Sequence, residues 1–111
     1  MERGEIRYAD LGGKTGRRQV LICTATEIIP VLTTVTCAPI TTSLYHIPTR
    51  LALGKDEGLK RSSEAVCDSL VTIAKSQIDT APLGLLGQHR FVELDRAIAR
   101  SLDIRRIHLR D

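Results

Sequence analysis

Tryptophan is absent from this chain of 111 residues, and two tyrosines and one phenylalanine bring the aromatic share to only 3%. A stacking platform for single-stranded nucleic acid needs several exposed rings. Tyr8, Tyr45 and Phe91 are too few for one, and the core must be built from aliphatics. Apolar runs are short, nowhere near the length of a membrane span. The three cysteines, Cys23, Cys37 and Cys67, are odd in number and show no Cys-x-x-Cys spacing. Each sits in an apolar stretch, so all three read as buried free thiols in a reducing compartment. His46, His89 and His108 are scattered with no i,i+4 pair, so no metal site is expected. Gly12-Gly13-Lys14-Thr15 lacks the first glycine of a phosphate-binding loop, and no long helix follows it. The N-terminus is charged from Glu2 onward, unlike a signal peptide. A cytoplasmic protein with no membrane association is the expectation.

What is present is ordinary for a globular chain: 42% hydrophobic and 26% charged residues. The length suits one domain spanning 1–111. The net charge of +3 and a pI near 9.0 suit a polyanionic partner. A core this small favours an oligomer.

Residues Glu5 to Leu11 alternate and read as a strand that buries Ile6 and Tyr8 and exposes Arg7. Gly12 to Gly16 is a flexible, basic turn. Gln19 to Cys23 is a short apolar strand. Leu32 to Ile40, rich in Thr and Val, is a strand that Pro39 marks as an edge or a bulge. Thr49 to Leu53 is a further strand, and Glu64 to Ile73 is one long strand or two short ones around Asp68. Phe91, Leu94, Ala97, Ile98 and Leu102 recur at helical spacing, which predicts an amphipathic helix over 90–102. The fold class is therefore mainly β, five to seven short strands followed by a C-terminal α-helix.

Three stretches carry candidate chemistry. In GRRQVLIC, Arg17 and Arg18 stand directly before an apolar strand, at the mouth of whatever the strand lines. In APITTSLYH, a strand end runs into the hydroxyls of Thr41, Thr42 and Ser43, either turn-forming groups or donors beside a phosphate. In AVCDSLVTIAK, Asp68 is a lone carboxylate in an apolar context. A carboxylate close to an arginine stays ionised and orients it.

RGEIRYADLG, GRRQVLIC, APITTSL, GLKRSSEAVCDSLVTIAKSQI and FVELDRAIARSLDI, in that order, resemble the successive motifs of the MazF/PemK toxin family. What the resemblance implies is a small SH3-like barrel of the CcdB/PemK (MazF) type with a C-terminal helix, forming a homodimer. It implies sequence-specific cleavage of single-stranded RNA without a cofactor or metal, to a 2′,3′-cyclic phosphate and a 5′-hydroxyl. It also implies a cognate MazE-type antitoxin as partner. The family's functional arginine falls on Arg18, its threonine on Thr41, and the aspartate of its PemK branch on Asp68. Lys14, Arg17, Thr42, Ser43 and His46 are then the candidate RNA contacts. Where the family has a proline this chain has Gln19, and where the PemK branch has an arginine it has Val66.

The residue types suit the reaction. Charge builds on the non-bridging oxygens as the 2′-hydroxyl attacks phosphorus. Arg18 offers two parallel N–H donors to them, and Thr41 a third. A guanidinium surrenders a proton poorly, so Asp68 and His46 both stand as candidates for the base. Two other readings compete: a CcdB-like toxin that poisons gyrase through protein contacts, and a catalytically inactive RNA-binding barrel.

Overall fold

In the computed structural model, which describes residues 1–105, seven strands form one curled sheet: β1 (Glu5–Asp10), β2 (Arg17–Ile22), β3 (Thr34–Thr41), β4 (Arg50–Leu53), β5 (Ser63–Val66), β6 (Val71–Ala74) and β7 (Gly84–Leu85). The strand order is β4-β5-β3-β2-β1-β7, with β6 also paired to β3, and α1 (Phe91–Ser101) follows. All pairings between strands are antiparallel.

The long strand β3 curls the sheet. Its first half, Thr34 to Cys37, pairs with β6, and its end, Ile40 and Thr41, pairs with β5. Pro39 lies at that changeover. A residue without an N–H loses least where the strand exchanges one neighbour for another. Pro39 is therefore inside the sheet rather than on an edge, with Val20 of β2 as its partner on the other side.

Two apolar clusters cover the two faces. The larger joins Ile6, Leu21, Ala38, Ile40, Leu51 and Leu53 to Leu86 and to Leu94 and Ala97 of α1. The smaller joins Ala9, Val20, Ile22, Val35 and Cys37 to Ile29 and Ile78. The helix presents Leu94 and Ala97 at helical spacing to the larger cluster, with Phe91 and Ile98 half-buried beside them. Leu94→Ala would open a cavity there costing about 2–5 kcal/mol. Arg90 fixes the helix start, donating from Nε and Nη2 to Glu93 and from Nη1 to Glu57 and the Ala52 carbonyl.

In β1 the alternation expected from sequence holds at Ile6, which is buried, and fails at the next two residues. Arg7 is buried and Tyr8 is exposed. Buried Arg7 is satisfied by Glu5, at 2.9 Å from Nε, and by the Asp79 carbonyl at 2.8 Å. Residues beyond β6 lie along this edge of β1 and cover it, through Asp79 N–H to Tyr8 O and Leu83 N–H to Ile6 O. The expected apolar Leu102 of the helix is likewise exposed, because α1 ends at Ser101. The strand that sequence starts at Gln19 begins at Arg17. All three thiols are free, Cys37 and Cys67 buried and Cys23 half-buried. Burial pushes each of them up to about 12. His108 lies outside the described residues.

Candidate active site

Arg18 continues the face of β2 that carries Val20 and Ile22 into the smaller cluster, but it stands at the rim, where the guanidinium is only half-buried. The ladder between β2 and β3 pairs Ile22 with Cys37, Leu21 with Ala38 and Val20 with Pro39. Carried two residues further, that register sets Arg18 opposite Thr41. The side chain agrees: Arg18 Nη2 donates to the Ile40 carbonyl at 3.0 Å. On its other flank, Thr41 pairs with Glu64 of β5. One row across three strands thus reads Arg18, Thr41, Glu64.

Thr41 Oγ1 accepts the Ser43 N–H at 3.1 Å. The hydroxyl is thereby oriented as an acceptor toward its own turn, and its proton is left to donate elsewhere. Thr42 and Ser43 are exposed on that turn.

Glu64 was not singled out from the sequence, and it organises the loop after Thr41. It is buried, 3% exposed. Its carboxylate accepts the Tyr45 N–H at 2.9 Å and the His46 N–H at 3.0 Å, and Arg50 Nη1 lies 3.3 Å away. Burial alone would raise the Glu64 pKa. The Tyr45 and His46 amides and the Arg50 guanidinium outweigh it and hold the carboxyl below its ordinary range. Arg50 Nη1 also donates to the Ser43 carbonyl at 3.0 Å, and its guanidinium lies 3.8 Å from the Tyr45 ring centroid. Its Nε is buried without a partner among the described residues. The loop from Ser43 to His46 is therefore tied down by a buried ion pair. His46 adopts a left-handed φ of +54°, a conformation costly for a non-glycine residue, and its imidazole Nδ1 stands 3.8 Å from Glu64. Arg50 also faces Val66 across β4 and β5, so a guanidinium lies beside the position where the resemblance expected one. The one sequence signal for Glu64 was its charge within an otherwise small and apolar strand, Ser63-Glu64-Ala65-Val66.

The other expected residues are dispersed. Asp68 is exposed on the turn between β5 and β6, where its Oδ2 accepts the Thr49 hydroxyl at 2.6 Å; no ion pair joins it to Arg18 among the described residues. Arg17 is held bidentately by Asp79, at 3.0 and 2.8 Å, and lies over the Tyr8 ring at 5.1 Å. That pairing raises the Arg17 pKa and lowers that of Asp79. Lys14 is exposed on the turn between β1 and β2. Among the described residues, no three or more His, Cys, Asp or Glu side chains converge as a metal-ligand group, and no helix is long and apolar enough to cross a membrane. A cleft of about 810 Å³ lies at the start of α1 between Gly54 and Arg90. It contains neither Arg18 nor Thr41, and its buried charges, Glu57 and Arg90, already neutralise each other.

Residues 2–102 match the family described as PemK-like, MazF-like toxin of type II toxin–antitoxin system. The chain belongs to this MazF/PemK toxin family. Among solved structures, the toxin MazF-mt6 of Mycobacterium tuberculosis is 32% identical with a TM-score of 0.83, over 90% of this chain and 97% of that one. An endoribonuclease in complex with its cognate antitoxin, from a mycobacterial species, is 23% identical with a TM-score of 0.84, over 96% and 99%. MazF of Deinococcus radiodurans, in a crystal with MazE, shares the fold at 15% identity and a TM-score of 0.72, over 92% and 94%. Comparison with the curated proteins gives no match. The curled sheet with its C-terminal helix is the MazF/CcdB-type fold expected from the sequence. Within this MazF-like frame, Arg18 and Thr41 are the expected pair that the strands bring together.

Proposed function

We propose that this MazF-like toxin is an endoribonuclease that cleaves single-stranded RNA by internal attack of the 2′-hydroxyl. The observation that carries the reading is the juxtaposition of the Arg18 guanidinium, anchored on the Ile40 carbonyl, with the Thr41 hydroxyl, whose proton is free to donate. In the reaction, the 2′-oxygen bonds to phosphorus and the bond to the 5′-oxygen breaks. The departing 5′-oxygen takes a proton from solvent, which leaves a 2′,3′-cyclic phosphate and a 5′-hydroxyl. Arg18 and Thr41 donate to the non-bridging oxygens, where charge grows in the transition state. DNA lacks the attacking group and is not cut.

For the proton on the 2′-oxygen, His46 is better supported than Asp68. The exposed imidazole of His46 has a ring nitrogen able to accept a proton. The His46 backbone is clamped by Glu64 on the same loop that begins at Thr41, whereas Asp68 sits on another turn and is engaged by Thr49. Lys14, Thr42 and Ser43 supply outer contacts to the RNA backbone. Arg17, already paired with Asp79, contributes less than a free arginine would.

The working form is a homodimer in the cytoplasm, held inactive by a MazE-type antitoxin whose acidic segment suits the net charge of +3. The purified protein should cut mixed RNA in the presence of EDTA and yield cyclic phosphate ends. No cleavage, with or without divalent metal, would favour the gyrase-poisoning or binding-only readings instead.

A further inference from the structure

The loop that leaves Thr41 carries two costly features that the phosphate donors do not require. Among the described residues, His46 and Asp103 are the only non-glycine residues with positive φ, and His46, at +54°, lies on this loop. Glycine would take that conformation without penalty. Glu64, which holds the loop, is a carboxylate buried to 3% exposure. A buried ion pair such as Glu64 with Arg50 is weak evidence for stability, because apolar residues of similar volume often serve as well. Strain and buried charge held together at one point of a site indicate a group that is being aimed.

The two oxygens of Glu64 divide their partners. Oε1 accepts the Tyr45 N–H at 2.9 Å and faces Arg50 Nη1 at 3.3 Å. Oε2 accepts the His46 N–H at 3.0 Å and lies 3.8 Å from His46 Nδ1. Among the described residues, Oε2 thus serves His46 alone, main chain and ring. Arg50, fixed by the Ser43 carbonyl and the Tyr45 ring, stops the carboxylate from turning away. Glu64 is also the register partner of Thr41, so the group that holds His46 grows from the same row as the two phosphate donors. A carboxylate accepts and does not donate, so it favours a proton on Nδ1. In a neutral imidazole the other nitrogen is then left with a lone pair. That nitrogen, Nε2, lies on the far side of a ring whose side chain is 76% exposed.

We propose that Glu64 is a positioning residue for RNA cleavage: its Oε2 keeps the proton of the His46 ring on Nδ1 and leaves Nε2 as the acceptor of the 2′-hydroxyl proton. As the 2′-oxygen bonds to phosphorus, its proton passes to Nε2, and the ring becomes an imidazolium facing the Glu64 carboxylate. The bond to the 5′-oxygen breaks, and that oxygen takes its proton from solvent. The imidazolium gives its extra proton back to solvent once the products leave. Glu64 touches no substrate and acts only through His46. The inference rests on the reading of the chain as an RNA-cleaving enzyme, but its first test does not require cleavage.

That test locates the ring proton. Long-range ¹H–¹⁵N spectra are recorded on the full chain, labelled at the histidine nitrogens, with the rings in their neutral form. The His46 signals are identified by their loss in His46→Asn, a residue that tolerates positive φ. The expected result is a protonated Nδ1 and a bare Nε2. In Glu64→Gln a side-chain NH₂ faces the ring, donates to Nδ1 and moves the proton to Nε2. A proton on Nε2 in the wild-type protein, or the same tautomer in both proteins, overturns the proposal whether or not the chain cleaves RNA. Single-turnover cleavage at saturating RNA, well below both melting temperatures, is the second test. A misplaced proton on the general base of a buried triad costs about 10⁴ in rate. At this exposed ring, Glu64→Gln should lower the maximal rate about tenfold or more and leave the half-saturating RNA concentration unchanged. His46→Asn should lower the maximal rate about 10²-fold or more, and adding Glu64→Gln to it should cost nothing further. Losses that multiply in the double variant would show Glu64 acting apart from His46 and overturn the proposal, as would a wild-type rate in folded Glu64→Gln. An inactive wild-type protein with the expected tautomer would reject the enzyme reading, and with it the role in cleavage, and leave the Glu64–His46 geometry standing.

Discussion

Replacing Glu64 by Gln removes one charge and almost no volume, which makes it a sharp probe of the loop that follows Thr41. Gln keeps an oxygen for the Tyr45 amide and Arg50. It turns an NH₂ group toward the His46 N–H, where Glu64 now accepts at 3.0 Å. A hydrogen bond to a charged acceptor is worth about 1.5–3 kcal/mol, and breaking one side of a buried ion pair costs about 3–5 kcal/mol. The loop can relax toward solvent because His46 and Tyr45 are exposed, so the lower part of that range applies, about 3 kcal/mol. At roughly 4 °C per kcal/mol for a domain of this size, the melting temperature should fall by about 12 °C. The sign of the pH dependence follows from the lowered Glu64 pKa. The stabilisation is fully present above the unfolded value, about 4.3, and is lost as pH falls through the folded value. Urea unfolding of both proteins from pH 7 down to acid should therefore show a gap that is constant near neutrality and closes below about pH 4.3. A gap under about 0.5 kcal/mol at pH 7, typical of an ordinary surface substitution, would refute the account of Glu64 as the clamp of this loop. So would a gap that persists unchanged in acid.

Other outcomes follow from the same geometry. Gly84→Ala would drive a Cβ into the Glu57 backbone carbonyl, so the chain must shift, and thermal melting should show one of the large destabilisations, about 4 kcal/mol or more. Buried Cys37 and Cys67, pushed up to about 12, should resist iodoacetamide in the native protein at pH 8, and all three cysteines should take label after denaturation; rapid native labelling of Cys37 or Cys67 would contradict their burial. Light scattering at micromolar concentration should give twice the 12.2 kDa chain mass, and a monomer there would remove the proposed dimer.

How much of this was legible in the sequence varies by element. The strand series and the terminal helix were, because periodicity and turn residues mark them directly. The burial of Arg7 and exposure of Tyr8 in β1 were not. Alternation alone favours burying Tyr8 over Arg7, and only the later segment around Asp79, folded back along β1, supplies the carbonyl that makes a buried arginine tolerable. Pro39 was read as an edge or a bulge because a single sequence does not show one strand changing partners midway along its length. Arg18 and Thr41 were legible as a pair through their motifs. Glu64 was not, since its role depends on amides and a guanidinium contributed by residues 14 to 19 positions away.

The most direct test of the central claim is single-turnover cleavage by Arg18→Ala at saturating RNA, in EDTA, with melting compared to the wild-type protein. Arg18 stands at a strand rim, half-buried, and among the described residues its one side-chain hydrogen bond is to the Ile40 carbonyl, so its loss should leave folding largely intact. Removing a transition-state donor of this kind costs about 10²–10³ in rate. The account predicts a drop of that size in the maximal rate, with RNA binding retained. A folded Arg18→Ala protein that cuts RNA at the wild-type rate would contradict it.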